Sequence, residues 1–327
     1  MTSPVENPDG RAERRAAPEP ARHPGGGSAA VPGGRGAVWT RWLPVATVLL
    51  AVLALWYAGA VGLNRAGAVE RVLPNSHPNG DWTFTDLVTV TLDMERPVLP
   101  APHQVAADLY SSLVDWPLDS PRNLLYHAAV TAQSTLVGFV LGTLLGVGLA
   151  AAIVHSRTLD RALLPWIVAS QTVPVLAIAP IVLVILGSLG FSGVAPKAAI
   201  AMYLCFFPVT VAMVQGLRAP QRIETELMHT YAASRLQAFW LLRMPSALPY
   251  LFPSLRVAIA AGLVGAMVAE LPTGAQAGLG ARLLTGSYYG NTVGIWSALV
   301  LSALLGLALT LAVAALERLV LRRGVPQ

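Results

Sequence analysis

Lysine is nearly missing from this 327-residue sequence: of 22 basic residues, Lys197 alone is lysine and the other 21 are arginine. That one position excludes a phosphate-binding loop of the Gly-x-x-x-x-Gly-Lys-Ser/Thr kind, because Lys197 sits in Val194-Ala195-Pro196-Lys197-Ala198-Ala199, without the glycines such a loop needs. The chain therefore does not bind ATP through a Walker motif of its own. Cysteine is as scarce. Cys205 lies inside an apolar run, which leaves neither a disulfide framework nor a cysteine-based metal site. Charge is low as well, at 12% of residues against 54% hydrophobic, where soluble domains carry about 25% charged. With a mean hydropathy of +0.58, most of the chain belongs in lipid. A net charge of +5 does not indicate nucleic acid, because the charges are scattered between apolar blocks rather than gathered on one patch. No His-Glu-x-x-His or Gly-x-Ser-x-Gly motif occurs. His127, His155 and His229 lie near predicted membrane boundaries without a second ligand at i+3 or i+4, so each reads as a solvated interfacial histidine. No catalytic residue, metal or cofactor is expected.

What is present is a series of apolar runs. Residues 1–38 stand apart, with six prolines, seven glycines and five arginines. They cannot bury enough surface to offset their ordering entropy and read as a disordered tail. The run from Leu43 to Leu63 follows, within a first membrane helix placed at 39–63. Ala58-Gly59-Ala60 resembles a signal cleavage site, but signal peptides have apolar cores of only about 7–15 residues, so a retained helix is expected. Five further runs have the ~20 residues needed to cross a bilayer: 126–154, 163–187, 196–217, 250–271 and 293–316. The fold class is therefore all-α and integral to the membrane, with about six spans. Gly138, Gly142, Gly146 and Gly148 suggest a small-residue ridge for close helix packing, with a dimer seam as the alternative.

Arginine placement gives an orientation. With the N-terminal tail inside, 15 basic residues fall in inside segments and six in outside ones, while eight of the 17 acidic residues fall in 64–124. Both termini, including 324–327, are then inside. The outside stretch 64–124 carries a turn-prone 74–80 and an amphipathic stretch from Gln104 to Val114. It reads as a cap, too small for a domain with its own large core.

The longest inside connection, 218–249, is also the most ordered by pattern. Pro220 marks a helix start, and Glu224 and Glu226 sit where the helix dipole favours negative charge. Ile223, Leu227 and Tyr231 recur at helical spacing, and Ser234 can cap a second helix running to Arg243, which Pro245 and Pro249 end as they start the next span. An apolar stripe here either packs on its own bundle or fits a socket on a partner. Arg256 and Glu270 approach the membrane interior from opposite ends of the fifth run; Arg256 can reach the surface by snorkelling, and Glu270 can line an outer cavity. Gln133, Gln171, Thr172 and Gln215, with Glu270, are the candidates for a polar path. Each reads first as a helix-packing hydrogen bond.

At this loop the sequence resembles the permease subunits of ATP-binding-cassette importers, which carry Glu-Ala-Ala-x3-Gly-x9-Ile-x-Leu-Pro here. The same spacing holds Glu226-Leu227-Met228, Ala232, then Leu242-Arg243-Met244-Pro245. The continuation from Ala233 to Phe239 and Pro245-Ser246-Ala247-Leu248-Pro249 resembles the nitrate/sulfonate/taurine branch, as do Leu99-Pro100-Ala101-Pro102, Val173 to Pro180 and Ala277-Gly278-Leu279-Gly280. The likeness covers roughly 98–323. The departures are Leu227-Met228 for two alanines and Ala232 for glycine, which imply a partner socket of different shape. Glu270 to Gly274 and Ser287 to Gly290 look most like permeases for pyrimidine or thiamine precursors.

The resemblance implies a transmembrane domain over 125–323 and a cytoplasmic coupling helix within 218–249 that docks on a separate ATPase. Glu226, Leu227, Met228, Ala232, Ala233, Leu242, Met244 and Pro245 would carry that coupling. It further implies an extracytoplasmic binding protein that delivers a small polar solute, a second permease, as a homodimer or with a related partner, and a bacterial cytoplasmic membrane; 64–124 would then face the periplasm. The alternative, an ion-coupled secondary carrier, calls for inverted repeats and mid-membrane ionisable groups, and neither is visible.

Overall fold

A computed structural model describes residues 36–76, 80–272 and 277–324. The tail over 1–38, except its last three residues, and the tail from 325 on lie outside the described residues. Contacts divide the chain at Ala51. Up to that residue the described unit is helix, with Leu43, Val48 and Leu50 exposed. From Val52 on, a second unit holds the rest, and all packing below concerns it.

Helix α1 (Gly36–Gly67) continues through a π-helical turn, Ala68–Val72, into α2 (Leu73–Ser76), well past the predicted end at 63. The cap follows as α3 (Phe84–Leu92) and α4 (Pro102–Val114), the latter on the amphipathic stretch foreseen in the sequence. Its core is small, as its length requires: Ala68, Leu73 and Leu87 with Val69, Val90 and Met94. Asn64, 1% exposed, pins the cap to α1. Its amide donates to the Thr91 and Leu99 carbonyls at 3.2 and 2.9 Å, and its Oδ1 accepts from the Val98 and Leu99 amides at 2.7 and 3.2 Å.

The membrane region follows as α5 (Leu124–His155), α6 (Arg157–Ser170), α7 (Val175–Ser188), α8 (Val194–Leu217), α9 (Arg222–Thr230), α10 (Arg235–Ala238), α11 (Met244–Glu270), α12 (Leu279–Tyr289) and α13 (Thr292–Gly324). Among the described residues, five helices are long and apolar enough to cross a bilayer: Leu43–Ser76, Leu124–His155, Val194–Leu217, Arg235–Glu270 and Thr292–Leu321. The third predicted span, 163–187, is not one helix. It breaks between α6 and α7 by 103°. Proline disfavours helical backbone in the residue before it, and Pro174 itself is extended, at φ −67° and ψ 116°. Carbonyls freed at the break are met locally: Thr172 Oγ1 donates to Ala169 O and Ser170 Oγ to Ile167 O, both at 2.7 Å, and the Tyr203 hydroxyl donates to Ser170 O. Such satisfaction is what lets a helix break within lipid.

The glycines settle how this broken piece runs. A Cβ on Gly138 would stand 2.4 Å from the Ala201 Cβ, one on Gly142 2.5 Å from the Cys205 Cβ, and one on Gly146 2.9 Å from the Val209 Cβ. Positions rise together on both helices, so α5 and α8 are parallel. The chain between them must therefore return from the end of α5 to the level where α8 starts, which makes α6 and α7 together one crossing. On its other side α8 meets α11 antiparallel, with Gly262 against Cys205 and Gly265 against Ala201. The ridge thus packs within the chain, and Gly148, with nothing within 4 Å of a Cβ, is not part of it. Outside this seam Leu144, Val184 and Leu307 are exposed, as lipid-facing residues are.

Gly138→Ala is expected to destabilise the bundle by about 1–3 kcal/mol through overpacking, whereas Gly148→Ala gains up to about 1 kcal/mol from helix propensity. Thermal unfolding of the two variants in detergent checks this. Equal midpoints would count against a close α5–α8 seam.

Candidate functional site

The segment joining α8 to α11 is held in shape almost entirely by its own backbone and capping groups. Arg218 pairs with Asp160 at 2.9 Å, tying its start to α6. Gln221 caps α9: its amide donates to Glu224 Oε2 at 2.7 Å. Arg222 pairs with Glu226 at 2.7 Å on an exposed face. No residue of α9 is buried. Ile223, Leu227 and Tyr231 are 71%, 54% and 76% exposed, so the apolar stripe does not pack on its own bundle.

The turn after α9 explains the glycine that the family motif carries at position 232. The Ala232 amide donates to His229 O at 2.9 Å and the Ala233 amide to Met228 O at 3.0 Å. This pair of bonds forms a Schellman ending, which places residue 232 in the left-handed region. Ala232, at φ +53°, is the one non-glycine residue with positive φ among the described residues, and alanine is less favourable there than glycine. Ser234 then caps the next helix reciprocally with Gln237.

That next helix does not stop at Pro245 and Pro249 as its prolines suggest. It passes through a π-helical turn, Phe239–Arg243, and continues as α11 to Glu270. The Met244 amide donates to Phe239 O, five residues back. The shifted register puts Pro245 at the first positions of α11, where no amide is missed. Ser246 Oγ takes up the Leu242 carbonyl at 2.8 Å.

Of the proposed coupling residues, Glu226, Leu227, Ala232 and Pro245 are exposed, while Met228, Ala233, Leu242 and Met244 are half-buried. The polar-path candidates are not brought together. Gln133 borders a recess of about 660 Å³ among α5, α7 and α8. Gln171 and Thr172 are exposed at the α6–α7 break. Gln215 lines a groove of about 360 Å³ with Tyr250 and Pro253 near the other end of α8.

Glu270 has no exposed surface; it is the centre of a polar knot whose Lys197 and Ala277 also line the recess that Gln133 borders. Its carboxylate accepts from Thr131 Oγ1 at 3.0 Å, the Gly280 amide at 2.8 Å and Lys197 Nζ at 3.3 Å. Lys197 also donates to Ala277 O at 2.7 Å, and Thr131 Oγ1 accepts from the Leu279 amide at 2.9 Å. His127 bridges the Pro121 carbonyl and the Gly278 amide at 2.8 and 3.0 Å, so its Nε2 carries the proton and Nδ1 accepts. Gly278 has φ +131°, and a Cβ there would fall 2.1 Å from the Glu270 carboxyl carbon. Lys197 and Glu270 stand 73 residues apart, so no local pattern in the sequence pairs them. Arg256, expected to snorkel, instead pairs with Glu317 on α13.

Removing one member of a buried ion pair costs about 3–5 kcal/mol because the other is stranded. Lys197→Met and Glu270→Leu are each expected to lose that much, and the double variant less than their sum. Unfolding midpoints of the three give the coupling energy, and strict additivity would dissolve the knot as a unit.

Residues 142–323 match the family described as the binding-protein-dependent transport system inner membrane component. The chain is 33% identical over 227 residues to the formylaminopyrimidine transport permease protein ThiX of Halalkalibacterium halodurans, covering 68% of this chain and 85% of that one. It is 32% identical over 225 residues to the riboflavin transport system permease protein RibX of Chloroflexus aurantiacus, covering 69% and 80%. The taurine transport system permease protein TauC of Escherichia coli is 25% identical over 243 residues, covering 72% and 82%. A permease of this family is a membrane component rather than a catalyst, and the ion-coupled carrier reading falls away. An all-α bundle of apolar helices, an ordered loop carrying the coupling-motif spacing and this match together make the chain a permease subunit of a binding-protein-dependent ATP-binding-cassette importer, of the taurine- and sulfonate-like branch.

Proposed function

We propose that this permease is driven by a separate ATPase that docks on α9 and the turn after it. The observation that carries this is the bare stripe of Ile223, Leu227 and Tyr231 on a short, well-capped helix. An isolated nine-residue helix is marginal in water, and three large apolar side chains left exposed on it favour a partner surface. Glu226, Leu227, Met228, Ala232 and Ala233 form or border that surface; Leu242, Met244 and Pro245 lie where the segment joins α11. Two permease copies, each with its docking helix, would face two ATPases. The family supports a bacterial cytoplasmic membrane, and the arginine distribution supports an orientation with the 218–249 loop and both termini inside; the 64–124 cap would then face the periplasm, where a binding protein delivers solute.

Ile223→Asp, Leu227→Asp, Glu226→Lys and Ala232→Asp are expected to leave membrane insertion intact while abolishing ATPase co-purification and ATP-dependent uptake. Ala232→Gly keeps both and stabilises the turn by about 1 kcal/mol. Normal ATPase recovery with all four disruptive variants, or uptake that persists without any ATPase, would refute docking here.

The solute is a small polar one of nitrogen-heterocyclic type. The support is that two relatives at 32–33% identity are named for formylaminopyrimidine and riboflavin transport. Ligand extracted from the partner binding protein, identified by mass spectrometry, is expected to be a pyrimidine-like or related heterocycle. A taurine-like sulfonate would place the specificity with the other relatives.

A further inference from the structure

The inner side of α9 carries a different chemistry from its outer stripe. At 3.6 residues per turn, Thr225, Met228 and His229 lie roughly opposite Ile223 and Leu227. With His155 at the end of α5, Arg235 at the start of α10 and Arg243 at the end of the π-helical turn, they line a recess of about 340 Å³. No carboxylate lines it. Among the described residues neither the Arg235 nor the Arg243 guanidinium has a hydrogen bond or ion pair, whereas Arg218, Arg222 and Arg256 each hold an acid. The two glutamates of α9 are already engaged, Glu224 with the Gln221 amide and Glu226 with Arg222. The His229 ring is likewise without a bond among the described residues.

Two unpaired guanidiniums at an acid-free recess leave positive charge that no lining residue compensates. The recess lies where α5 ends, at the predicted membrane surface, and is backed by the bundle rather than open toward the stripe. We propose that it is a binding site for a phosphate group, supplied either by free phosphate or by an anionic phospholipid headgroup. The planar forks of Arg235 and Arg243 suit phosphate oxygens in a way that a single point charge does not, and basic pockets at the cytoplasmic ends of membrane helices are where anionic headgroups settle. Arg235 and Arg243 begin the helix that runs on to Glu270, and His229 belongs to α9. A phosphate held among them clamps the docking helix against that long rod, so its occupancy sets how firmly movement of α9 is passed on. This site is independent of ATPase docking and is testable on the permease alone.

The test uses the full chain in maltoside micelles, which carry no phosphate. One arm titrates inorganic phosphate and follows binding calorimetrically. The other adds phosphatidylglycerol and reads retained lipid by native mass spectrometry. Wild type is expected to bind in at least one arm; phosphate alone identifies the free ion, and phosphatidylglycerol alone identifies the headgroup. The Arg235→Gln/Arg243→Gln double variant is expected to bind at least about tenfold more weakly, with Arg222→Gln unchanged. Arg235→Gln alone, at an exposed position, gives a smaller loss in the same direction and guards against a misfolded double variant. No binding in either arm, or equal binding by wild type and the double variant, overturns the proposal.

Discussion

The bundle is built around the close approach of α8 to glycine-bearing faces on both of its neighbours. In lipid there is no hydrophobic force to press helices together, so they associate through close packing, and only small residues permit it. Gly138, Gly142 and Gly146 on one side, and Gly262 and Gly265 on the other, let α8 sink between α5 and α11 until a Cβ on any of them would meet another atom at 3.1 Å or less. From that contact follow the parallel course of α5 and α8, the single crossing made by the broken α6–α7 pair, and the burial of Cys205.

At one end of this seam the bundle must place ionisable groups where water does not reach. It does so by giving each of them several hydrogen-bond partners. Glu270 is met by a hydroxyl, a backbone amide and an ammonium, and the same loop turns over Gly278 and Gly280 because a side chain there would strike Glu270 or the Met267 carbonyl. A densely hydrogen-bonded polar cluster in a low-dielectric interior is rigid, which makes this end a fixed point. The other end contrasts with it: α9 buries nothing and its apolar side chains face outward. The continuous 235–270 helix thus has a rigid knot at one end and the loosely packed α9 segment next to the other.

Much of this was legible along the chain. The apolar runs announced every spanning element, because length and hydropathy are set by bilayer thickness alone. The amphipathic stretch before Val114, the cap of Ser234 and the stripe of Ile223, Leu227 and Tyr231 are local patterns and were readable as such. The break at Pro174 was hidden by continuous hydropathy, which does not register a change of direction. The helix running through Pro245 was hidden by the π-helical turn, whose shifted register cancels the usual penalty for proline.

Sequence alone determined that the chain is helical, membrane-embedded and ordered at 218–249, since those properties depend on neighbours within a few turns. Tertiary structure decided what each polar group is for. Lys197 and Glu270, 73 residues apart, become one ion pair; Arg256 finds Glu317; Asn64 fastens the cap; Ala232 is seen to occupy a glycine's conformation. Partnership across tens of residues depends on which helix faces fall together in space, and no local period encodes that.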